Sequence, residues 1–216
     1  MLPDLWRMAD RRVRPAREAV RTRDGGERVL DEVLAGVGHH VALDRWFHAS
    51  SFFLEGERLT ADRLGALAIP RARLLAHVTW ELCLDGALLG RAGFAGELAR
   101  LRVGLEDAHP RATNDAVGLH HFERVERAAG AREVVIQRLD RIASELAKGP
   151  WIEGYQTGAG IAFRLDGVRR AVGLDPMNEG DRAALARVLD DLLAIAREQV
   201  VGLLAEAPPW RPTGSP

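Results

Sequence analysis

The chain has 216 residues, enough for one domain with a sizeable core, and its 47% hydrophobic and 28% charged residues are ordinary for a soluble globular protein. A net charge of −1 supplies no bulk basic field toward nucleic acid or an anionic membrane, and the basic residues, all arginine except Lys148, are scattered rather than gathered in a patch. The lone Cys83 excludes an intramolecular disulfide or a thiolate zinc cluster and fits a reducing cytoplasm; no run of about 18 apolar residues is present to span a membrane, and the opening MLPDLWRMADRRVR lacks the apolar core of a signal peptide.

Helical periodicity dominates in chain order. Residues 28–53 carry Leu30, Leu34, Val37, Val41, Trp46 and Phe53, mostly at steps of three and four. Residues 60–89 form the next long element, with Thr60 as the expected N-cap and Pro70 as a break from which a fresh helix runs through RARLLAHVTWELCLDGALL. Shorter helices are expected at 93–105, 114–129 and 131–147, with the stretch 107–115 as a surface loop. Gly149-Pro150 is a stop, two short helical pieces surround Gly158 and Gly160, and Asp175-Pro176 opens a turn. A long amphipathic helix over 180–206 and a disordered tail PPWRPTGSP complete the chain. With no alternating strand pattern, no repeat and no low-complexity block, the reading is all-α and single-domain.

Two sets of side chains stand out. His40, Asp44 and His48 lie four residues apart on one expected helix, and His77, Glu81 and Asp85 lie four apart on another. A step of four is about 400° of helical turn, so each trio drifts by only about 80° and keeps to one face. Helices turning such faces toward each other would pool imidazoles and carboxylates, a donor mixture that suits divalent Zn, Fe or Mn. Acids among Trp46, Phe47, Trp80 and Leu82 are costly to bury unless paired or metal-bound. The plainer alternative makes Asp44 and Arg45 an exposed pair and His77 a core histidine. His121, in the His120-His121 pair, is either a substrate-side acid or base or an exposed histidine. Arg164, ahead of Arg169 and Arg170, could hold a phosphate bidentately or belong to a solvated helix face.

The run VLAGVGHHVALDRWFHAS resembles a segment of the bacterial acyl-carrier-protein phosphodiesterases in which a His is followed by Asp at four and again at eight residues. Those positions are His40, Asp44 and His48 here. HVTWELCLDGAL resembles that family's Asp-x-x-Trp-Asp-His-Phe-Leu helix, whose two acids fall on His77 and Glu81 and whose histidine falls on Leu82. LPDLWRMADRR resembles the family's Gly-Asn-Leu-Leu-Ala-Asp-Phe segment, which puts its aspartate on Asp4. WIEGYQTGAGIAFRLDGVRRA is similar to its Trp-x-x-x-Tyr segment and the arginine-bearing helix after it, placing Trp151, Tyr155 and Arg164. The last long helix corresponds too, whereas residues 90–148 show no likeness.

The resemblance implies an HD-like helical metal hydrolase over residues 1–207, with 208–216 as tail. It implies a divalent metal, typically manganese, and cleavage of the phosphodiester that joins the phosphopantetheine arm to a serine of acyl carrier protein. Asp4, His40, Asp44, His77 and Glu81 become the expected ligands. Asp85, His48 and Glu81 are the expected catalytic groups, and Arg164, Tyr155 and His121 the substrate contacts. Imidazole in place of carboxylate at His48 and His77 moves the preference toward Zn or Fe. A family member would carry a further histidine-bearing segment ahead of Asp4. Chain ends fray unless tied down, so for Asp4 to ligate, residues 3–15 are expected to form a helix with Trp6 inward and Asp4 aimed at His40 and Asp44; the alternative is a start codon placed too late. The alternatives are a DinB-like helical metal-binding protein acting as a thiol transferase, and a non-catalytic interaction protein on the same fold.

Overall fold

The structure, a computed structural model, describes residues 28–106, 132–148 and 152–209. Among them all regular structure is helical and no strand occurs. The expectations for Asp4, residues 3–15, His121, the stretch 107–115, the helix at 114–129, Trp151 and the tail beyond Pro209 lie outside the described residues.

The chain divides into two compact units. The first comprises Met1–Trp46, Arg100–Gly149 and Pro208–Pro216, the second Phe47–Ala99 and Pro150–Ala207. Helix α1 (Arg28–Ala49) runs through the first unit and enters the second with its last residues, Phe47 to Ala49. The first unit also contains α5 (Arg132–Lys148), which buries Leu139 and Leu146 and carries an Arg141–Glu145 ion pair on its exposed side.

The second unit is built around α3 (Ala72–Leu89). Helix α2 (Ser51–Ala66) packs on one side of it, and α7 (Glu179–Glu206), α6 (Gly158–Ala171) and the short 3-10 turn Glu153–Gln156 pack on others. Helix α4 (Phe94–Glu106) follows α3 in the chain. A helix with neighbours on several sides must be apolar nearly all round. Accordingly α3 buries Leu75, Ala76, Thr79, Trp80, Leu82, Cys83, Leu84 and Ala87. Its two flanking helices show the narrower stripe of elements with one buried face. On α2 that stripe is Phe53, Gly56, Thr60 and Leu64, and on α7 it includes Leu185, Leu189, Leu192, Ala196, Val200 and Leu203. Each leucine so buried contributes on the order of 2 kcal/mol.

Close approach of α2 to α3 depends on Gly56. A Cβ there would overlap the indole of Trp80, which is fully buried. Gly86 plays the same part on α3, where the backbone carbonyl of Tyr155 occupies the place a side chain would take.

The expectation of one helix over 28–53 needs correction. The chain breaks after Ala49, and Ser50, in extended conformation, caps α2 by accepting from Phe53 N at 3.2 Å. Thr60 is therefore no N-cap. It sits inside α2, fully buried, its hydroxyl donating to Gly56 O at 2.7 Å. At Pro70 the break is real: Ala68 and Arg71 both take left-handed φ, 53° and 58°, and α3 starts at Ala72. The remaining turn, between α6 and α7, is pinned by Asp166. Its Oδ1 accepts from Met177 N at 2.8 Å, and its Oδ2 faces Arg170 Nη2 at 3.3 Å and Arg182 Nη2 at 3.5 Å.

Candidate metal centre

The last turn of α1 brings Phe47 and His48 into the second unit, and α2 turns back directly after Ser50. That reversal puts Phe53, 1% exposed, against the ring of His48 (centroids 4.5 Å, planes at 89°). The same phenyl ring packs on His77 of α3 at 4.9 Å. The two imidazoles are stacked, their centroids 4.7 Å apart and their planes 19° from parallel. Phe47 closes the cluster at 5.1 Å from His48 and 4.8 Å from Phe53.

So stacked, both rings present Nε2 to one carboxylate oxygen. Glu81 Oε1 lies 3.4 Å from His48 Nε2 and 3.5 Å from His77 Nε2. His77 and Glu81 are neighbours by their four-residue spacing on α3. Each of the three residues offers a ligand atom within 4.8 Å of the other two. A tetrahedral zinc with bonds of about 2.1 Å holds its ligand atoms about 3.4 Å apart, and the two spacings from Glu81 Oε1 to the imidazole nitrogens match that figure. The side chains are partly open to solvent, His48 at 26%, Glu81 at 35% and His77 at 46%, which gives an ion and a small substrate access. Two imidazoles and one carboxylate form a known type of catalytic metal set, and three protein ligands leave positions for water or substrate.

A fourth residue completes the cluster. Glu57 of α2 places Oε1 3.2 Å from His77 Nδ1, on the opposite edge of the ring from Nε2. The four-residue ladders miss it because the positions four residues before and after it on α2 are Phe53 and Ala61, so it belongs to no ladder. A signal was present, however, since Glu57 lies four residues after Phe53 and shares its face of α2.

The other expected site residues are placed as follows. Asp85 is exposed, one turn beyond Glu81 on α3, and is not in the group of three. His40 and Asp44 stand two turns and one turn before His48 on α1, within the first unit, and are likewise not in that group. Tyr155 and Arg164 meet each other, with Arg164 Nε donating to Tyr155 Oη at 3.3 Å and the guanidinium lying 5.9 Å from the ring centroid. The backbone of Tyr155 packs at Gly86, which is about 140° round α3 from Glu81. Leu82, where the resembled family has a histidine, is buried.

Burial also decides the state of Cys83. Enclosed in the core, its thiol is pushed from 9.0 up to about 12, so it offers no thiolate to a metal or an electrophile. Among the described residues no helix is long and apolar enough to cross a membrane. Compared with protein-family models, curated proteins and solved structures, the chain matches none.

Proposed function

We propose that this protein is a divalent-metal-dependent hydrolase of the HD-like type that acts on phosphodiesters, with acyl carrier protein as the substrate the sequence resemblance suggests. The observation that carries this reading is the convergence of His48 Nε2 and His77 Nε2 on Glu81 Oε1, at 3.4 and 3.5 Å, among side chains partly open to solvent. A zinc, iron or manganese ion held there would lower the pKa of a coordinated water and polarise a phosphoryl oxygen. Because His48 stands among the ligand atoms, Asp85 is the better candidate to take the proton from that water. Arg164 enters only as a holder of a remote part of the substrate, since the Tyr155 it pairs with packs on another side of α3. The acid in the set speaks for a hydrolase over a DinB-like three-histidine thiol transferase.

The test is turnover of bis(p-nitrophenyl) phosphate by protein reconstituted with each metal in turn, followed by release of the arm from holo acyl carrier protein. Glu81→Gln removes a charged ligand with little change of shape and should lower turnover by on the order of 100-fold or more. Equal turnover by wild type and Glu81→Gln would assign the activity to a contaminant. Protein that takes up no metal on reconstitution would favour the non-catalytic interaction protein.

A further inference from the structure

We infer that Glu57 is a positioning residue that sets the metal-binding nitrogen of His77. The inference rests on the metal reading above and adds a part of the site that neither the ladders nor the resemblance contains. Its basis is the two-sided engagement of one ring: His77 Nδ1 lies 3.2 Å from Glu57 Oε1, and His77 Nε2 lies 3.5 Å from Glu81 Oε1.

An ionised carboxylate only accepts hydrogen bonds. Glu57 therefore holds the ring proton of neutral His77 on Nδ1, and the lone pair is left on Nε2, directed at Glu81. The Nε2 lone pair and the Glu81 oxygen, both electron-rich, then face each other across 3.5 Å with His48 Nε2 beside them. A cation between them turns this juxtaposition from unfavourable to favourable. A carboxylate on the far nitrogen of a ligating histidine also fixes the ring's orientation and raises its basicity. Orientation here is held twice over, by Glu57 at Nδ1 and by Phe53 and His48 packed around the ring. Glu57 comes from α2 and Glu81 from α3, so the pairing across His77 also ties the metal centre to the packing of those two helices.

The experiment is Zn(II) titration of the full chain against a competing chelator, with the visible spectrum of the Co(II)-substituted protein as a second readout. Glu57→Ala should weaken Zn(II) binding by about 10- to 100-fold and alter the Co(II) spectrum, while the thermal midpoint of the metal-free protein stays that of wild type. Glu57→Gln, which keeps an acceptor on Nδ1, should recover part of the affinity. Glu55→Ala, the same change of charge at an exposed position on α2, should leave both readouts unchanged. In a His77→Ala background Glu57→Ala should cost nothing further. Wild type that binds Zn(II) with Glu57→Ala indistinguishable from Glu55→Ala overturns the inference and leaves the metal reading standing. Wild type that binds no Zn(II) overturns both.

Discussion

The ring of His48 lies flat against that of His77, the planes 19° from parallel, although one residue closes α1 and the other sits in the middle of α3. Stacked imidazoles can both ligate one ion, but both cannot be protonated at that separation without mutual repulsion. A metal and a second proton therefore compete for the same arrangement. Zn(II) affinity should fall as the solution is acidified, because ligating imidazole must be deprotonated. Chelator competition over a pH series measures it, and a flat profile would remove the histidines from the ligand set.

Removing ligands one at a time should rank them. His48→Ala and His77→Ala should each cost more metal affinity than His40→Ala or Asp44→Ala, because the former two belong with Glu81 to the group of ligand atoms that lie within 4.8 Å of one another. Elemental analysis after reconstitution decides the order. A loss at Asp44→Ala as large as that at His48→Ala would make the first ladder a source of ligands beyond its last rung.

Gly56→Ala should destabilise the second unit by about 1–3 kcal/mol, since the added methyl meets a buried indole that has little room to move. Denaturant unfolding followed by tryptophan fluorescence reports both the loss and the displaced ring. Unchanged stability would show that α2 can lift from α3 at no cost.

Asp166→Asn should cost about 2 kcal/mol. The charged hydrogen bond to Met177 N is buried and supplies most of that figure. The pairs with Arg170 and Arg182 add little, because both guanidinium groups are substantially exposed. A loss that vanished at high salt would reverse this apportionment.

Cys83 gives an alkaline signature. Its thiol stays protonated in the folded protein up to about 12, whereas in the unfolded chain it ionises near 9.0. Between those values the folded state binds more protons, so this group makes stability fall as pH rises, by up to about 1.4 kcal/mol per unit. Cys83→Ala should flatten that part of the profile, and a thiol reagent should label wild type only on unfolding. Rapid labelling of the folded protein would place the thiol at the surface.

What the sequence made legible follows from how each signal is written. Long helices are written in many residues, so α3 and α7 emerge close to their expected bounds, and Pro70 announces its own break. The break at Ser50 was hidden because the apolar steps run on through Trp46 and Phe53 without losing phase, while the cap depends on a single hydroxyl. The ladder His77–Glu81 could be read because it is local to one helix. How the ladder of His40, Asp44 and His48 divides could not be read, because it depends on where α1 ends and which residues pass into the second unit. Glu57 meets His77 only through the packing of α2 on α3, and pairing between helices leaves no periodic trace.

The second unit is assembled from two stretches separated by residues 100–149, and every group at the candidate metal centre belongs to the earlier one. On a ribosome adding about 5–20 residues per second, α3 is finished on the order of ten seconds before α7. For that interval a leucine-rich helix has α2 beside it but not the surfaces of α6 and α7 that complete its burial. The side chains of the candidate metal centre are thus synthesised before part of the scaffold that holds them.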